Sequence, residues 1–334
     1  MPKPSNKILY STVLTILIGF VLFILLSFLI KPKTLEIIPK ESPTEESPTL
    51  TLLFTGDIML DRGVEYYIEK EGKGDYKFPF LKIADYLQKA DILVGNLEGP
   101  ISDKGVKAGS IYSFRMNPKA IEGLTYAGFD ILSLANNHMF DYTKEALTDT
   151  LSRLKEAKID YIGGGSNQEE AYSPLIKELN GTKIAFLAYT NLGSPNWAVG
   201  TTTSGISWLS EENLKKGIES AKEKADIIIV SFHIGEEYLA EPDATQKYFS
   251  KLAVDYGADF VVSHHPHVVQ KQEIYKGKYI FYSLGNFVFD QGFSEKTKEG
   301  QILKISIKEN KIQEITPINI KMNEFFQPEM VEPL

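Results

Sequence analysis

The chain has 334 residues, of which 36 are lysine or arginine and 44 are aspartate or glutamate, so its formal net charge at pH 7 is −8. This acidic balance argues against a nucleic-acid-binding protein, because such proteins usually present a basic face. The chain contains no cysteine, which excludes disulfides and thiolate metal sites. Any transition metal would therefore be held by histidine, carboxylate, asparagine or water.

The N-terminal segment 8–30 contains no charged residue. A helix of this length, at about 1.5 Å rise per residue, is long enough to cross roughly 30 Å of hydrocarbon. We therefore predict a transmembrane anchor that follows a short tail at 1–7. A cleavable signal peptide is the alternative, but its apolar region is usually only about 7–15 residues long and ends in small residues.

Lysines flank the apolar segment on both sides, with Lys3 and Lys7 before it and Lys31 and Lys33 after it. The positive-inside rule counts only lysine and arginine, and the charges at the amino terminus favour a cytoplasmic location for that end. The sequence thus predicts a single-pass membrane protein with a short cytoplasmic tail and a body that faces outside.

Residues 31–49 are rich in proline, glutamate, serine and threonine, a composition typical of a semi-extended tether. From residue 50 onward, short apolar runs alternate with segments of helical spacing, and we assign 50–322 to one domain and 323–334 to a C-terminal tail. Alternating strands and helices predict an α/β fold with a largely parallel sheet. The predicted helices cover 79–88, 143–157, 210–224 and 244–256. The predicted strands at 278–284, 301–307 and 312–320 read as antiparallel.

Polar side chains follow the predicted strands at the points where these strands end. In open α/β sheets, the loops at the carboxyl ends of strands converge on a crevice where functional groups gather. The side chains at these ends are carboxylates, amides and imidazoles, a donor set suited to one or two divalent ions such as manganese, zinc or iron. The candidate metal ligands are Asp57, Asn96, Glu98, Asn137, His233, His265 and His267.

Three of the five histidines lie in the run from His264 to His267, directly after an apolar segment. Alternation along an extended segment directs His265 and His267 to the same side, so that both imidazoles could hold one ion. His138 is the candidate general acid. Asp141, three residues later, is the candidate partner that fixes the tautomer of that imidazole.

Six segments of the chain carry distinctive motifs, at 55–62, 95–101, 135–142, 233–238, 264–270 and 282–287. Taken in this order, they resemble the bacterial poly-γ-glutamate capsule synthesis protein (CapA, or PGA_cap) family, and the resemblance implies that the anchor lies in the bacterial cytoplasmic membrane. The resemblance implies a calcineurin-like metallophosphoesterase fold, a four-layer α/β/β/α sandwich. It also implies a role in making or exporting an anionic polymer such as poly-γ-glutamate, beside a membrane-bound polymer ligase or export complex.

The chain departs from the wider metallophosphoesterase pattern at two positions. Met59 stands where that pattern has a histidine, and Asn96 stands where a metal-bridging aspartate is usual, with Glu98 as a candidate substitute. Both departures imply a weaker two-metal centre. Two functions therefore remain open: a metal-dependent hydrolase of phosphoester or amide-type bonds, and a non-catalytic scaffold that binds the nascent polymer and assists its export or anchoring.

Four further residues are candidates for contact with substrate. Arg62 and Arg115 could each clamp an anion, because a guanidinium matches carboxylate or phosphate in bidentate fashion, although surface salt bridges are the other reading. His264 belongs to the histidine run, and Asn286 follows Gly285 in a predicted tight turn.

An acidic pair and a glycine run also lie near the predicted strand ends. Glu236 and Glu237, after His233, are either carboxylates that support the site or members of a solvated loop. The glycine run 163–165 lacks the Lys-Ser/Thr pair of a phosphate-binding loop and is interpreted as a strand-to-helix turn.

Overall fold

A computed structural model describes residues 6–29 and 48–331. The chain divides into two units, Met1–Glu46 and Ser47–Leu334. The first unit contains helix α1 (Asn6–Leu29). Its segment Tyr10–Leu29, with a mean hydropathy of 2.8, is long and apolar enough to cross a membrane. Most of the predicted tail at 1–7 and of the tether at 31–49 lies outside the described residues.

The described part of the second unit alternates strands with helices. Its strands are β1 (Leu50–Ile58), β2 (Ile92–Leu97), β3 (Ile131–Ser133), β4 (Asp160–Ile162), β5 (Gly164–Gly165), β6 (Leu175–Leu179), β7 (Thr182–Thr190), β8 (Gly205–Ile206), β9 (Ile227–His233), β10 (Phe260–His264), β11 (Gln272–Tyr275), β12 (Lys278–Phe281), β13 (Asn286–Val288), β14 (Glu299–Lys308), β15 (Lys311–Met322) and β16 (Pro328–Met330). Its helices are α2 (Arg62–Lys70), α3 (Ala84–Leu87), α4 (Ala120–Ala127), α5 (Thr143–Glu156), α6 (Gln168–Tyr172), α7 (Glu211–Lys222), α8 (Ala244–Tyr256) and α9 (Glu295–Lys298), with 3-10 turns at Phe78–Phe80 and Pro195–Trp197.

Two large sheets and one small pair of strands make up the β structure. The first sheet has the order β16-β15-β14-β1-β2-β3-β4, and β13 also pairs with β1. The second sheet has the order β11-β12-β10-β9-β7-β6, while β5 pairs with β8. Strands β1 to β4 are parallel to one another, as are β7, β9, β10 and β12. The late strands β14 and β15 run antiparallel, as predicted for 301–307 and 312–320. The segment 278–284, also predicted to be antiparallel, forms β12, which pairs antiparallel with β11 but parallel with β10.

The two large sheets pack face to face, with helices on their outer faces. Successive side chains of a strand point to opposite faces. Accordingly, Phe54 of β1 contributes to the apolar layer between the sheets, whereas Leu53 packs against α2 to α5. In β7, Phe186 lies between the sheets and Leu187 packs against α7 and α8. The expected four-layer α/β/β/α architecture is confirmed.

Besides the mixed pairing of β12, the structure differs from the sequence-based expectations in three respects. The predicted helix at 79–88 is divided into a 3-10 turn and the short helix α3, because Ile83 between them has a φ of −131°, outside the helical range. The segment beyond residue 322, set apart as a tail, contributes β16, which pairs antiparallel with β15. Helices α2 and α4 were not among the predicted elements.

Candidate metal centre

The carboxyl ends of strands from both large sheets bring the polar residues together. In the first sheet, Asp57 of β1 stands opposite Asn96 of β2 and Asn286 of β13 in the strand registers. In the second sheet, His233 of β9 stands opposite His264 of β10. Parallel strands end at the same edge of a sheet, so sequence neighbours of these residues are delivered to one crevice.

Asp57 lies at the centre of the cluster and is fully buried. Its Oδ1 accepts a hydrogen bond from Asn96 Nδ2 at 2.8 Å, and its Oδ2 accepts one from the backbone N–H of His265 at 3.3 Å. The Nδ1 atoms of His264 and His267 each approach a carboxylate oxygen of Asp57 at 3.3 Å. Burial alone would raise the pKa of Asp57, but the contacts with His264 and His267 outweigh it and hold that pKa well below the ordinary value.

His233 links the two amide side chains across the crevice. Its Nε2 lies 2.8 Å from Asn137 Oδ1, and its Nδ1 lies 3.2 Å from Asn96 Nδ2. Since the amide oxygen of Asn137 can only accept, the imidazole donates from Nε2 and accepts at Nδ1. Burial, together with the nearby His265, lowers the pKa of His233 well below its ordinary value. In the metal-free protein His233 is therefore a neutral imidazole, the form that binds metals.

The backbone around His265 and His267 is in an unusual conformation. His265 has a φ of 100° and His267 has a φ of 58°, values that residues other than glycine seldom adopt. Such conformations persist where the surrounding structure enforces them, and they cluster at functional sites. His267 Nδ1 lies 2.9 Å from Asn286 Oδ1, which leaves its Nε2 directed toward Glu98 Oε1 at 3.6 Å.

Glu98 is a fully buried carboxylate without a hydrogen-bond partner at either oxygen. Its Oε1 lies 3.5 Å from His138 Nε2 as well as close to His267. Burial raises the pKa of Glu98 well above its ordinary value. The Nδ1 atom of His265 is likewise buried and unpartnered. Buried polar atoms without partners are costly, and a cation is the kind of group that would satisfy a carboxylate and an imidazole nitrogen together.

Two sets of side chains have the geometry to hold a cation. Asp57, Glu98 and His233 form one set, and all three are buried. Glu237, His265 and His267 form the other, in which only Glu237 is exposed. Within each set, one ligand atom per residue lies within 4.8 Å of the others. The donor atoms are carboxylate oxygens and imidazole nitrogens, which suit divalent transition metals.

His138 forms a separate pair with Asp141 at the side of the cluster. The Nδ1 of His138 lies 2.7 Å from Asp141 Oδ2, and the backbone N–H of Phe114 donates to that same oxygen at 2.8 Å. The ring of Phe114 lies over the imidazole at 4.1 Å between centroids. The structure therefore fixes the orientation of His138 with its Nε2 toward Glu98.

The two arginines predicted as anion clamps are engaged in contacts within the protein. Arg62 forms a two-pronged ion pair with Asp290, and its guanidinium lies 5.0 Å from the centre of the Phe114 ring. The guanidinium of Arg115 donates to backbone carbonyls and lies 4.2 Å from the centre of the Tyr142 ring. For Arg62 the salt-bridge interpretation matches the observed geometry.

Sequence reasoning did not single out Asn136 as a site residue. Its side chain is fully buried and donates to the carbonyl of Leu97 at 2.8 Å, while its Oδ1 accepts from the backbone N–H of His138 at 3.1 Å. Asn136 thus ties the loop after β3 to the end of β2. The available signal was its position beside Asn137 and His138 in one polar run. Phe114 gave no such signal.

Met59 occupies a buried position next to the site. It packs in an apolar cluster with Phe114 and Phe289, whose rings also contact His138 and His267. The position therefore contributes apolar support where the wider pattern has an imidazole. Asn96 supplies an amide donor to Asp57, and no negative charge.

The sequence is similar to a protein family and to individual bacterial proteins. The family model of the bacterial capsule synthesis protein PGA_cap matches residues 51–291. The chain is 36% identical over 286 residues to "Capsule biosynthesis protein CapA" of Bacillus anthracis, covering 83% of this chain and 69% of that protein. It is 34% identical over 285 residues to "PGA biosynthesis protein CapA" of Bacillus subtilis (strain 168), covering 83% and 73%.

Solved structures with similar chain paths include two bacterial proteins. One is a novel phosphatase from Mycoplasma pneumoniae, with 16% identity, a TM-score of 0.49 and coverage of 82% of this chain and 94% of that one. The other is the calcineurin-like phosphoesterase YfkN from Bacillus subtilis, with 17% identity, a TM-score of 0.43 and coverage of 81% and 90%.

Proposed function

Because the chain belongs to the bacterial capsule synthesis protein PGA_cap family, we propose that it is a membrane-anchored, metal-dependent hydrolase in the biosynthesis of an anionic capsule polymer such as poly-γ-glutamate. The main support for a metal-dependent hydrolase is the fully buried carboxylate of Glu98. It has no hydrogen-bond partner, and it faces the imidazoles of His138 and His267. A carboxylate in that position is poorly explained by packing alone.

Two sets of residues would hold the metal, with Asn137 beside His233. The sets are Asp57, Glu98 and His233, and Glu237, His265 and His267. Their donors fit one or two divalent ions, with manganese, zinc and iron as the candidates. Such an ion, when bound, lowers the pKa of a water molecule and polarises the bond to be hydrolysed. The buried carboxylates of Asp57 and Glu98 supply the negative charge that offsets the cation.

His138 and Asp141 carry the proton chemistry of the proposed reaction. A carboxylate on one ring nitrogen orients a histidine and stabilises its imidazolium form. The Oδ2 of Asp141 accepts a hydrogen bond from Nδ1–H of His138, so Nε2–H of the imidazolium is the group that would donate a proton to the leaving group of a phosphoester or amide-type bond. The ring of Phe114 and the backbone contact to Asp141 hold this donor in place.

A non-catalytic scaffold that binds the polymer is the second candidate, and two observations favour it. Met59 contributes no imidazole, and Asn96 contributes an uncharged amide that donates to Asp57. Met59 reduces the number of ligands, and Asn96 reduces the negative charge, available to a pair of cations.

The decisive experiment combines metal analysis with hydrolysis assays on the full chain in detergent. We expect bound divalent metal, Mn²⁺-dependent cleavage of a phosphodiester or of poly-γ-glutamate, and loss of both in His265→Ala. Asn196→Ala, at an exposed position of the 3-10 turn Pro195–Trp197, is the control. Metal bound without turnover of either substrate would favour the scaffold. A metal-free protein with an intact circular dichroism spectrum would overturn the metal centre.

We also propose that the second unit faces the outside of the membrane, where it meets the polymer and a membrane-bound ligase or export complex. The chain has no cysteine, so single cysteines can report topology without background. A membrane-impermeant maleimide on intact cells should label Ser152→Cys, which lies on the exposed side of α5, and should spare Ser5→Cys. The reverse pattern would contradict this orientation.

A further inference from the structure

The loop that follows β9 is tied at two points to the segment that carries the clustered histidines. The backbone N–H of Ile234 donates to the carbonyl of His264 at 3.2 Å, and that of Tyr238 donates to the carbonyl of Pro266 at 2.8 Å. These two bonds lie on either side of Glu237. The loop is therefore held against the histidine segment along its length.

The shape of this loop depends on two residues with positive φ. Gly235 has a φ of 115°, and a Cβ there would lie 2.6 Å from the side chain of the buried Gln246. Tyr238 has a φ of 65°, which is uncommon for an aromatic residue, and its ring lies 6.1 Å from that of His267. The backbone has positive φ on both sides of Glu237, without strain at Gly235 and in an uncommon conformation at Tyr238, and the Glu237 carboxylate lies close to His267.

Glu237 reaches the ligand atoms of two buried imidazoles. One oxygen of Glu237 and one nitrogen each from His265 and His267 lie within 4.8 Å of one another. The Nδ1 of His265 is buried and has no partner. An exposed carboxylate usually faces solvent or a basic side chain. Within residues 48–331, Glu237 has no ion pair with lysine or arginine. It interacts with the side chain of Tyr238 and lies close to His265 and His267.

We infer that Glu237, with His265 and His267, forms a second cation position beside the one formed by Asp57, Glu98 and His233. This inference rests on the proposed metal centre and specifies its ligands. Glu237 falls outside the metal-ligand pattern that the chain otherwise follows. It would supply a negative charge where Asn96 lacks one, so that three carboxylates face the cations.

The test is Mn²⁺ binding to the full chain in detergent, by calorimetry and by electron paramagnetic resonance, with Glu237→Gln and Glu236→Gln compared. Both substitutions remove one exposed negative charge from the same loop, but Glu236 is not part of either ligand set. We expect two equivalents of Mn²⁺ and a spin-coupled signal in the wild type. We expect Glu237→Gln to weaken one equivalent by about tenfold or more and to remove the coupling, as loss of a ligand does. Glu236→Gln should match the wild type.

The outcomes separate this inference from the proposed function. Two equivalents with unchanged affinities in Glu237→Gln would exclude Glu237 as a ligand and leave the metal centre intact. A single equivalent in the wild type would overturn the second position alone. Equal losses in Glu236→Gln and Glu237→Gln would indicate a general effect of charge and would also overturn the assignment. A folded wild type that binds no metal would contradict both the proposed metal centre and the second cation position.

Discussion

His138 and Asp141 form an imidazole–carboxylate pair in which Nδ1 and Oδ2 are 2.7 Å apart. The same carboxylate oxygen accepts the backbone N–H of Phe114, so the pair is anchored to the main chain. Both side chains are buried, and the imidazole presents its Nε2 to Glu98 at 3.5 Å. The orientation of the candidate proton donor is thus set by the fold before any substrate binds.

The first prediction concerns this pair. Asp141→Asn should lower the rate of Mn²⁺-dependent hydrolysis by about 100-fold, because positioned acid–base groups contribute about 10²–10⁴-fold and an amide favours the wrong tautomer. Metal content should be unchanged, since Asp141 belongs to neither ligand set. The measurement is kcat together with metal per chain. Asp103→Asn, an exposed carboxylate paired with Arg153, is the control. A parallel loss of metal would show that Asp141 acts on the metal centre instead.

The second prediction concerns Glu98 in the metal-free protein. Burial raises its pKa in the folded state. The folded protein thus holds this proton more tightly than the unfolded chain, and the stabilising contribution is full below about pH 4.3 and is lost as the pH rises through the folded-state value. At pH values above both the folded-state pKa of Glu98 and the value of about 9 for His267, Glu98→Gln should therefore raise the free energy of unfolding by about 1–3 kcal/mol, because a buried carboxylate that carries a charge without a hydrogen-bond partner is removed.

Thermal unfolding with and without Mn²⁺ measures this effect. Metal should raise the melting temperature of the wild type and have a smaller effect on Glu98→Gln, because ligand binding to the folded state alone is stabilising. Glu236→Gln serves as the exposed control. A lower melting temperature for metal-free Glu98→Gln than for the wild type would mean that the carboxylate already has a stabilising partner.

The third prediction concerns the pH dependence of metal affinity. In the metal-free protein, burial alone would lower the pKa of His267, but Glu98 and Asp57 outweigh it and raise that pKa to about 9. Burial and the neighbouring His267 lower the pKa of His265 to about 3. His265 is therefore already neutral at ordinary pH, whereas His267 must release a proton before it can bind a cation.

Mn²⁺ affinity should consequently rise by about tenfold per pH unit toward pH 9 and level off above it. Protons released from Glu98 would add to the change in the same direction. Calorimetry at several pH values, in two buffers with different ionisation enthalpies, gives both the affinity and the number of protons released. An affinity that stays constant from about pH 6.5 to pH 8.5 would contradict a protonated His267.

The fourth prediction concerns packing between α7 and the second sheet. Glycine to alanine in a helix normally stabilises by about 1 kcal/mol. At Gly217, however, a Cβ would lie 2.0 Å from the hydroxyl of Tyr189. Gly217→Ala should therefore lower the free energy of unfolding by about 1–3 kcal/mol, the usual cost of overpacking.

Urea denaturation measures this change, with the exposed neighbour Lys216→Ala as the control. Adding Tyr189→Phe to Gly217→Ala removes the clashing oxygen and should recover part of the loss. A stabilised Gly217→Ala would show that Tyr189 moves aside at little cost.

Much of the fold could be predicted from local sequence patterns. The helices α5, α7 and α8 coincide closely with the predicted segments, because each has apolar residues at helical spacing and clear ends. For α8 the signal includes a capping box from Asp243 to Gln246. The segment 79–88 was less predictable, because the spacing of its apolar residues is compatible both with one continuous helix and with the observed 3-10 turn followed by α3.

The candidate site was partly visible for a similar reason. Polar residues that directly follow buried apolar runs are unusual, and Asp57 and His233 stood out on that basis alone. The roles of Asn136 and Phe114 could not be seen, because neither carries the chemistry of a metal ligand or a catalytic acid. Glu237 remained ambiguous between a solvated loop and a supporting carboxylate.

The sequence by itself determined the apolar N-terminal segment, the alternation of strands and helices and the set of residue types at the strand ends. These properties depend on the hydrophobicity, periodicity and side-chain chemistry of nearby residues. Only the tertiary structure decided which of these side chains meet. Asn96 and His233 are 137 residues apart in the chain, and their contact depends on the packing of two sheets. The placement of His265 and Glu237 depends on strained backbone conformations at His265 and Tyr238, which local patterns do not encode because the surrounding packing enforces them.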